Sequence, residues 1–340
     1  MRLKSKDPSR TTLLRNRFRS NLSKRFLNLS KVLTDLVVKE DAFGLKEQPR
    51  FTLNNRWQFL TDTQKLSEFQ KFLKERIDEG ILETSETDPN NPWTTGFIQE
   101  AYDKGQGRAF TDVNKAGIAN DLDGFVGGRQ AFLQQSFGHP VAIEKVNLLG
   151  ARVFTNLRGI TEAMSDQIAR ELAEGLIRGD NPRQVGARIS GRVKAIGRRR
   201  AETLARTEII RAHAEGQLDA LDRMGVEEVG VAVEWSTAGD DRVCPLCQPL
   251  EGVVMTIQEA RGLIPRHANC RCAYIPANVG EDKRRQKRSK AVIDRAKNRS
   301  IKAEIPQGTR RTLKEQKKLT QWPGADRRIA KARPKDILDE

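Results

Sequence analysis

Cys244-Pro-Leu-Cys247 is followed, after nineteen residues, by His267-Ala-Asn-Cys270-Arg-Cys272. These are the only four cysteines in the chain, and they fall within 29 residues. A disulfide framework spreads its cysteines, whereas a tight cluster in a reducing compartment points to a metal site. The two-residue gap of the first pair lets both thiolates turn toward one ion. His267 and the Cys270/Cys272 pair supply the other half. Zinc takes four Cys or His ligands in a closed tetrahedron at structural sites, so five candidates compete for four places. Cys270 and Cys272 share one side if their segment is a strand, and spacing alone excludes neither. An all-thiol site and a three-thiol site with His267 both satisfy the pattern. The favoured set is Cys244, Cys247, His267 and one of the last two, with Cys270 ahead of Cys272. Fortuitously close free cysteines are the alternative. A catalytic zinc keeps an open position and needs a nearby base. Asp240, Asp241 and Glu251 are close in sequence, but no His-Glu-x-x-His spacing occurs, so the expected cofactor is a structural Zn2+.

Working outward, the pattern before the cluster is that of a strand. Val229, Val231 and Val233 alternate with small or charged residues up to Trp235. Ala238-Gly239-Asp240-Asp241 follows as a turn. A short helix is predicted at about Thr256 to Gly262, and Cys270 to Ile275 reads as a closing strand. Upstream the period is helical. Leu13, Leu14, Phe18, Leu22, Phe26 and Leu29 recur at steps of three and four among Arg15, Arg17, Arg19, Lys24 and Arg25. That predicts a basic amphipathic helix whose apolar face, Leu14, Phe18, Leu22 and Phe26, is available for docking. Residues 62–83 predict a second helix, and Thr87 to Thr95 a loop. Ile160, Met164, Ile168, Leu172 and Leu176 predict a helix capped by Thr161 and stopped at Gly179. Asn181-Pro182 restarts the chain as N-cap and first helical residue. Val185, Ile189, Val193 and Ile196 form the next stripe, and a third helix is expected from about Arg198 to Met224, ending at Gly225.

The charge is uneven. The 340 residues carry a net +16. Residues 1–31 hold +9 and residues 281–340 hold +11, while residues 32–280 are at −4. Two basic ends on a nearly neutral body favour polyanionic partners and say little about fold. The longest uncharged run, Gln130 to Ile143, is broken by polar residues and too short to cross a membrane, which takes ~20 apolar residues. Residues 1–31 lack the apolar core of a secretory signal. The expected fold class is α+β: a mostly helical N-terminal two-thirds, then a small zinc-stabilised α/β module and a basic, partly disordered tail. The expected divisions are 1–145, a helical region with the basic arm; 146–225, a helical segment; 226–278, the zinc module; and 279–340, the tail.

Four blocks occur in a particular order: Gly179-Asp-Asn-Pro-Arg-Gln-Val-Gly-Ala-Arg-Ile, then Ala205-Arg206-Thr207-Glu208, then Trp235-Ser-Thr-Ala-Gly-Asp240 through Cys247 with Leu250-Glu-Gly252, then Pro265-Arg-His267 through Cys272. That order resembles the phage Mu F-like head morphogenesis proteins, or minor capsid proteins, over about residues 150–278. The resemblance implies a minor component of a tailed-phage head, acting in procapsid assembly in the host cytoplasm and located in the virion or procapsid interior. Its implied partners are the portal protein and the procapsid interior, scaffold or major capsid protein, together with the packaged DNA. The matching positions are Arg206, Thr207, Glu208, Trp235, Asp240, Cys244, Cys247, His267, Cys270 and Cys272. Trp235 is expected to pack on the zinc loop, and Arg206 and Glu208 to pair ionically between the last helix and the zinc module. The basic ends suggest non-specific contact with double-stranded DNA.

Two other functions compete. A zinc-containing nuclease mixes Cys pairs with a central His but needs further His residues, and here only His139 and His213 remain, both expected to be packing or surface residues. A zinc-dependent DNA-binding regulator needs a recognition helix beside the metal. The predicted helix at Thr256 to Gly262 is short and carries only Arg261 as a base reader.

Overall fold

A computed structural model describes residues 7–43, 63–83, 92–116, 128–137, 139–178, 180–225, 231–240 and 242–278. The predicted tail 279–340 and most of the predicted loop at Thr87 to Thr95 lie outside these residues. The helices are α1 (Thr12–Val38), α2 (Thr63–Ile77), α3 (Thr95–Lys115), α4 (Gly128–Phe137), α5 (Pro140–Arg178), α6 (Pro182–Arg223) and the single turn α7 (Ile257–Ala260), with a π-helical turn over Asp78–Leu82. Three strands, β1 (Val231–Ser236), β2 (Val254–Met255) and β3 (Ala273–Asn278), make one sheet in the order β2-β1-β3. Both pairings are antiparallel, with Val233 opposite Met255 and Trp235 opposite Tyr274. The fold is therefore α+β, helical first and sheet last. The chain divides into two units, Met1–Leu14, Ile98–Val146 and Arg206–Glu340 in one, and Arg15–Phe97 and Asn147–Ala205 in the other.

The second unit is built from helices. Phe18, Leu22, Phe26, Leu29, Leu33 and Val37 of α1 are all buried. The face expected to be free for docking is thus core: in this unit Phe18 stacks on Phe97, and Trp93 meets Phe18 edge to face. Long apolar side chains on one stripe gain more from burial than from exposure, each ~1.5–3 kcal/mol. Glycines let α1 and α6 approach closely. A methyl at Gly197 would meet Phe26 Cβ at 2.6 Å, and one at Gly186 would meet Val38 at 2.7 Å. Ser30 and Ser190 hydrogen-bond between them at 2.9 Å. These contacts run in opposite chain directions, so the two helices are antiparallel.

Two helix boundaries differ from the sequence expectation. The helix expected to start near residue 160 begins at Pro140, because Val153 and Leu157 extend the buried stripe of Met164, Ile168 and Leu172 backwards. Thr161 is buried inside that helix and its hydroxyl donates to the Arg158 carbonyl at 2.8 Å, so it caps nothing. The break expected near Arg198 is also absent, and α6 runs unbroken to Arg223. Its start is as expected. Asn181 Oδ1 accepts the Gln184 amide at 3.0 Å, and Gln184 Oε1 accepts the Asn181 amide at 2.9 Å, a reciprocal capping box.

The first unit carries the sheet. Ile210, Ala214, Leu218 and Leu221 of α6 share one core with Phe110 and Val113 of α3 and with Val233, Trp235, Val253, Met255, Ile257, Leu263 and Tyr274. Here α3 and α6 meet backbone to backbone. A methyl at Gly105 would overlap the His213 carbonyl oxygen, and one at Gly216 would overlap the Tyr102 carbonyl oxygen. After α6, Gly225 takes φ +65, a left-handed helix terminus that glycine adopts without a Cβ penalty.

Candidate metal centre

Two short turns bring the donors together. In the first, Cys247 N–H donates to the Cys244 carbonyl at 3.0 Å. In the second, Cys270 N–H donates to the His267 carbonyl at 3.1 Å. Asn269 closes the second turn with φ +65, a conformation asparagine tolerates better than most residues, and its amide donates to Thr207 Oγ1 at 3.2 Å. That gives the Arg206-Thr207-Glu208 block a physical role: Thr207 on α6 holds the turn between His267 and Cys270.

His267 Nε2 lies 3.0 Å from Cys244 Sγ and 3.2 Å from Cys247 Sγ. The ligand atoms of Cys244, Cys247 and His267 lie within 4.8 Å of one another, as do those of Cys247, Cys270 and Cys272. Cys247 belongs to both groups. In a tetrahedral zinc site donors sit roughly 3.5–4 Å apart, given bonds of ~2.0–2.3 Å, so this spacing fits an ion with small adjustments. The donor set, cysteine sulfurs and one imidazole, could hold a metal ion. Cys247, Cys270 and Cys272 are buried, and Cys244 is half-buried.

The electrostatics of the cluster fit the same reading. The Cys247 thiol and the His267 ring, outweighing burial, hold the Cys244 thiol down at about 4. Burial opposes charge on His267, but the sulfurs of Cys244 and Cys270 overcome it and push the ring up to about 11. Hydrogen bonds from Cys247 and Cys272, again against burial, hold Cys270 well below the usual thiol range. Cys247 is pushed up, first by its bond to Cys244 and then by Cys270 and Cys272. Concentrated negative charge that draws protons onto its neighbours is what a cation would replace.

Trp235 is fully buried and meets Tyr274 edge to face at 5.9 Å. Its indole nitrogen is buried with no hydrogen-bond partner among the described residues. Asp240 takes a forked ion pair from Arg271, at 2.7 and 2.6 Å, and a further contact from Arg242. The Arg271 guanidinium holds the Asp240 carboxyl well below its ordinary range. Arg271 sits between Cys270 and Cys272 in sequence, so this pair ties the second donor segment to the turn before the first. Glu251 accepts the Thr237 amide at 2.6 Å and fixes the same turn.

Glu208 is buried and pairs with Arg211 on its own helix. Arg261 makes an ionic tie between helix and metal module. Arg261 donates to Asp219 at 2.6 Å and to Asp222 at 2.9 Å, and lies 3.5 Å from Glu215. Asp219 also accepts Tyr102 Oη and Lys145 Nζ, each at 2.5 Å. Burial alone would raise the Asp219 pKa, but these three donors outweigh it and lower it. Sequence reasoning missed this cluster, although Glu215, Asp219 and Asp222 repeat at steps of four and three on one helix face. Arg261 is thereby committed to carboxylates rather than presented as a base reader. His213 is buried in α6 and His139 is exposed at the start of α5, and neither joins the donor groups.

Among the described residues, the fold and site define a helical protein with a small antiparallel sheet beside a Cys/His cluster that could hold a metal ion. Over residues 166–275 the chain matches the family model described as phage Mu protein F like protein. All four blocks read from the sequence lie within this match, which spans the end of α5, α6 and the whole cluster. No curated protein and no solved structure matches the chain.

Proposed function

We propose that this protein is a minor head component of a tailed phage or prophage, acting in head morphogenesis at the portal side of the procapsid and contacting packaged double-stranded DNA, with zinc as a structural metal. The observation that carries this reading is the phage Mu F-like match across the donor cluster. Zinc is favoured by the thiolate-rich set with one imidazole and by the absence of a base placed for catalysis among the described donors. Among the described residues no helix is long and apolar enough to cross a membrane.

DNA contact is supported by more than the basic ends. In the helical unit, residues 15–34 of α1 and 182–201 of α6 contain thirteen Lys or Arg and no acid. Arg25, Arg188 and Arg192 pair with Glu83, Asp180 and Glu171. Arg17, Lys24 and Lys31, at seven-residue steps along α1, are exposed, as are Lys194, Arg198 and Arg199 on α6. Such a face suits phosphates without reading bases, and its affinity falls steeply with salt as counterions are released.

Deleting the gene from its phage tests the reading. Heads should still form, the protein should be missed from the portal-bearing shell, and fewer particles should be infectious. Unchanged infectivity per particle would refute it. Metal-dependent DNA cleavage lost in His267→Ala at unchanged metal content would favour the nuclease instead.

A further inference from the structure

Within the helical unit the exposed face of α6 has an order of its own. An α-helix turns about 100° per residue, so Ala187 and Ala195 lie within about 40° of Gly191 around the axis. All three are exposed. Gln184 shares this strip, with its amide engaged in the cap with Asn181. Arg183 and Lys194 stand about 60–80° to one side of Gly191, and Arg199 about 80° to the other; these three are exposed as well. Arg198 is exposed on the strip near its C-terminal end. No acid occurs between Pro182 and Ala201. The face is a floor of mostly short side chains with cations along both walls. Nothing inside the chain accounts for Gly191. Of the four glycines in α6, Gly186, Gly197 and Gly216 let another helix approach closely, whereas a methyl at Gly191 would meet nothing within 4 Å. Glycine is a costly residue in a helix interior, and a floor kept low on the outside admits a body that presses close to the helix.

We propose that α6 lies in the major groove of B-form DNA, with Ala187, Gly191 and Ala195 toward the base edges and Arg183, Lys194 and Arg199 on the phosphates of the two strands. This rests on reading the helical unit as a DNA-contacting face. The B-form major groove is about 12 Å wide and accepts an α-helix, and the phosphates that border it match cations placed on the two walls. Alanine and glycine offer a base edge no side-chain hydrogen bond, so the contact is close without being selective. Helix α1 packs on α6 at Gly186, Ser190 and Gly197, beyond the Lys194 wall. The exposed Lys24 and Lys31 of α1 extend that wall.

Dimethyl sulfate treatment of a mixed-sequence DNA duplex saturated with the full chain tests the placement, because the reagent methylates guanine N7 in the major groove and adenine N3 in the minor groove. Guanine N7 should be protected and adenine N3 should not. An RNA duplex of the same length should bind about tenfold more weakly, since its major groove is too narrow for a helix. Gly191→Ala should keep the DNA affinity, and Gly191→Leu should lower it about tenfold or more by lifting the cations from the phosphates. Both variants should melt no lower than wild type, because the added side chain starts in open space and both residues are better helix formers; a loss of binding is then not a loss of fold. Bound DNA with adenine N3 protected, or with neither position protected, overturns the groove placement. So does undiminished DNA binding by Gly191→Leu, and so does equal affinity for the RNA duplex, which leaves contact with phosphates alone. If no duplex binds, the DNA reading itself fails, which is a distinct result.

Discussion

Replacing Gly105 or Gly216 by alanine tests the close crossing of α3 and α6 on which the sheet-bearing core is built. In an open helix position the change is favourable by about 1 kcal/mol, because glycine carries the larger entropy loss. Here the new methyl at Gly105 would overlap the His213 carbonyl oxygen and stand 3.0 Å from the Gln217 nitrogen. At Gly216 it would overlap the Tyr102 carbonyl oxygen and stand 2.9 Å from the carbonyl carbon. Both obstacles are backbone and neither can rotate away. Relief requires the helices to part by roughly 1 Å, and a gap of that size forfeits a quarter to a half of each dispersion contact across it. Phe110, Val113, Ile210 and Leu218 are buried in the core that this crossing organises. At ~1.5–3 kcal/mol for each buried side chain, losing a quarter to a third of four of them costs about 2–4 kcal/mol. Subtracting the propensity gain leaves a net destabilisation of about 1–3 kcal/mol. The thermal midpoint of this unit should drop by roughly 5–10 °C. One separation relieves both overlaps, so the double variant should lose clearly less than the sum of the singles. Gly159→Ala is the control: nothing lies within 4 Å of the added methyl, and it should stabilise its own unit by about 0.5–1 kcal/mol. Thermal and urea unfolding of the four variants decide the matter. Stabilisation by Gly105→Ala equal to that by Gly159→Ala would refute the crossing.

Arg261→Ala should destabilise the sheet-bearing unit by about 1–3 kcal/mol, less than a fully buried pair because Arg261 is partly exposed and Asp219 keeps Lys145 and Tyr102; urea unfolding within 0.3 kcal/mol of wild type would contradict the tie. Asp240 should titrate, by carboxyl 13C shift, below its ordinary ~3.9, and its stabilisation, fully present above that unfolded value, should be lost as pH falls through the lower folded one. An Asp240 midpoint at or above the ordinary value would remove the Arg271 pair from the account. Substituting Arg17, Lys24, Arg198 and Arg199 together by glutamine should weaken double-stranded DNA binding and reduce its salt slope by roughly 2–4, measured by fluorescence anisotropy; an unchanged slope would move the contact elsewhere.

The cluster was legible because its chemistry is local. Cys244 and Cys247, and His267 and Cys270, are turn partners three residues apart, and a turn closes over that distance in almost any fold. The N-cap at Asn181 and the glycine end at Gly225 were legible for the same reason. What the sequence hid depends on distant neighbours. Phe18 and Phe26 look alike on a docking helix and on a core helix until Phe97 and Gly197 are known to face them. The continuity of α5 and α6 was obscured because Thr161 and the Arg198-Arg199-Arg200 run resemble boundaries, whereas tertiary packing overrides such weak local preferences.

Elemental analysis of the purified chain, paired with hydrogen exchange before and after chelation, tests the metal-built module most directly. The account predicts about one zinc per chain, lost in Cys244→Ser and Cys247→Ser, and loss of amide protection through β1, β2 and β3 on chelation while α1 keeps its own, since a structural metal supplies folding free energy. A metal-free chain with the same protection in those strands and the same thermal midpoint would contradict it.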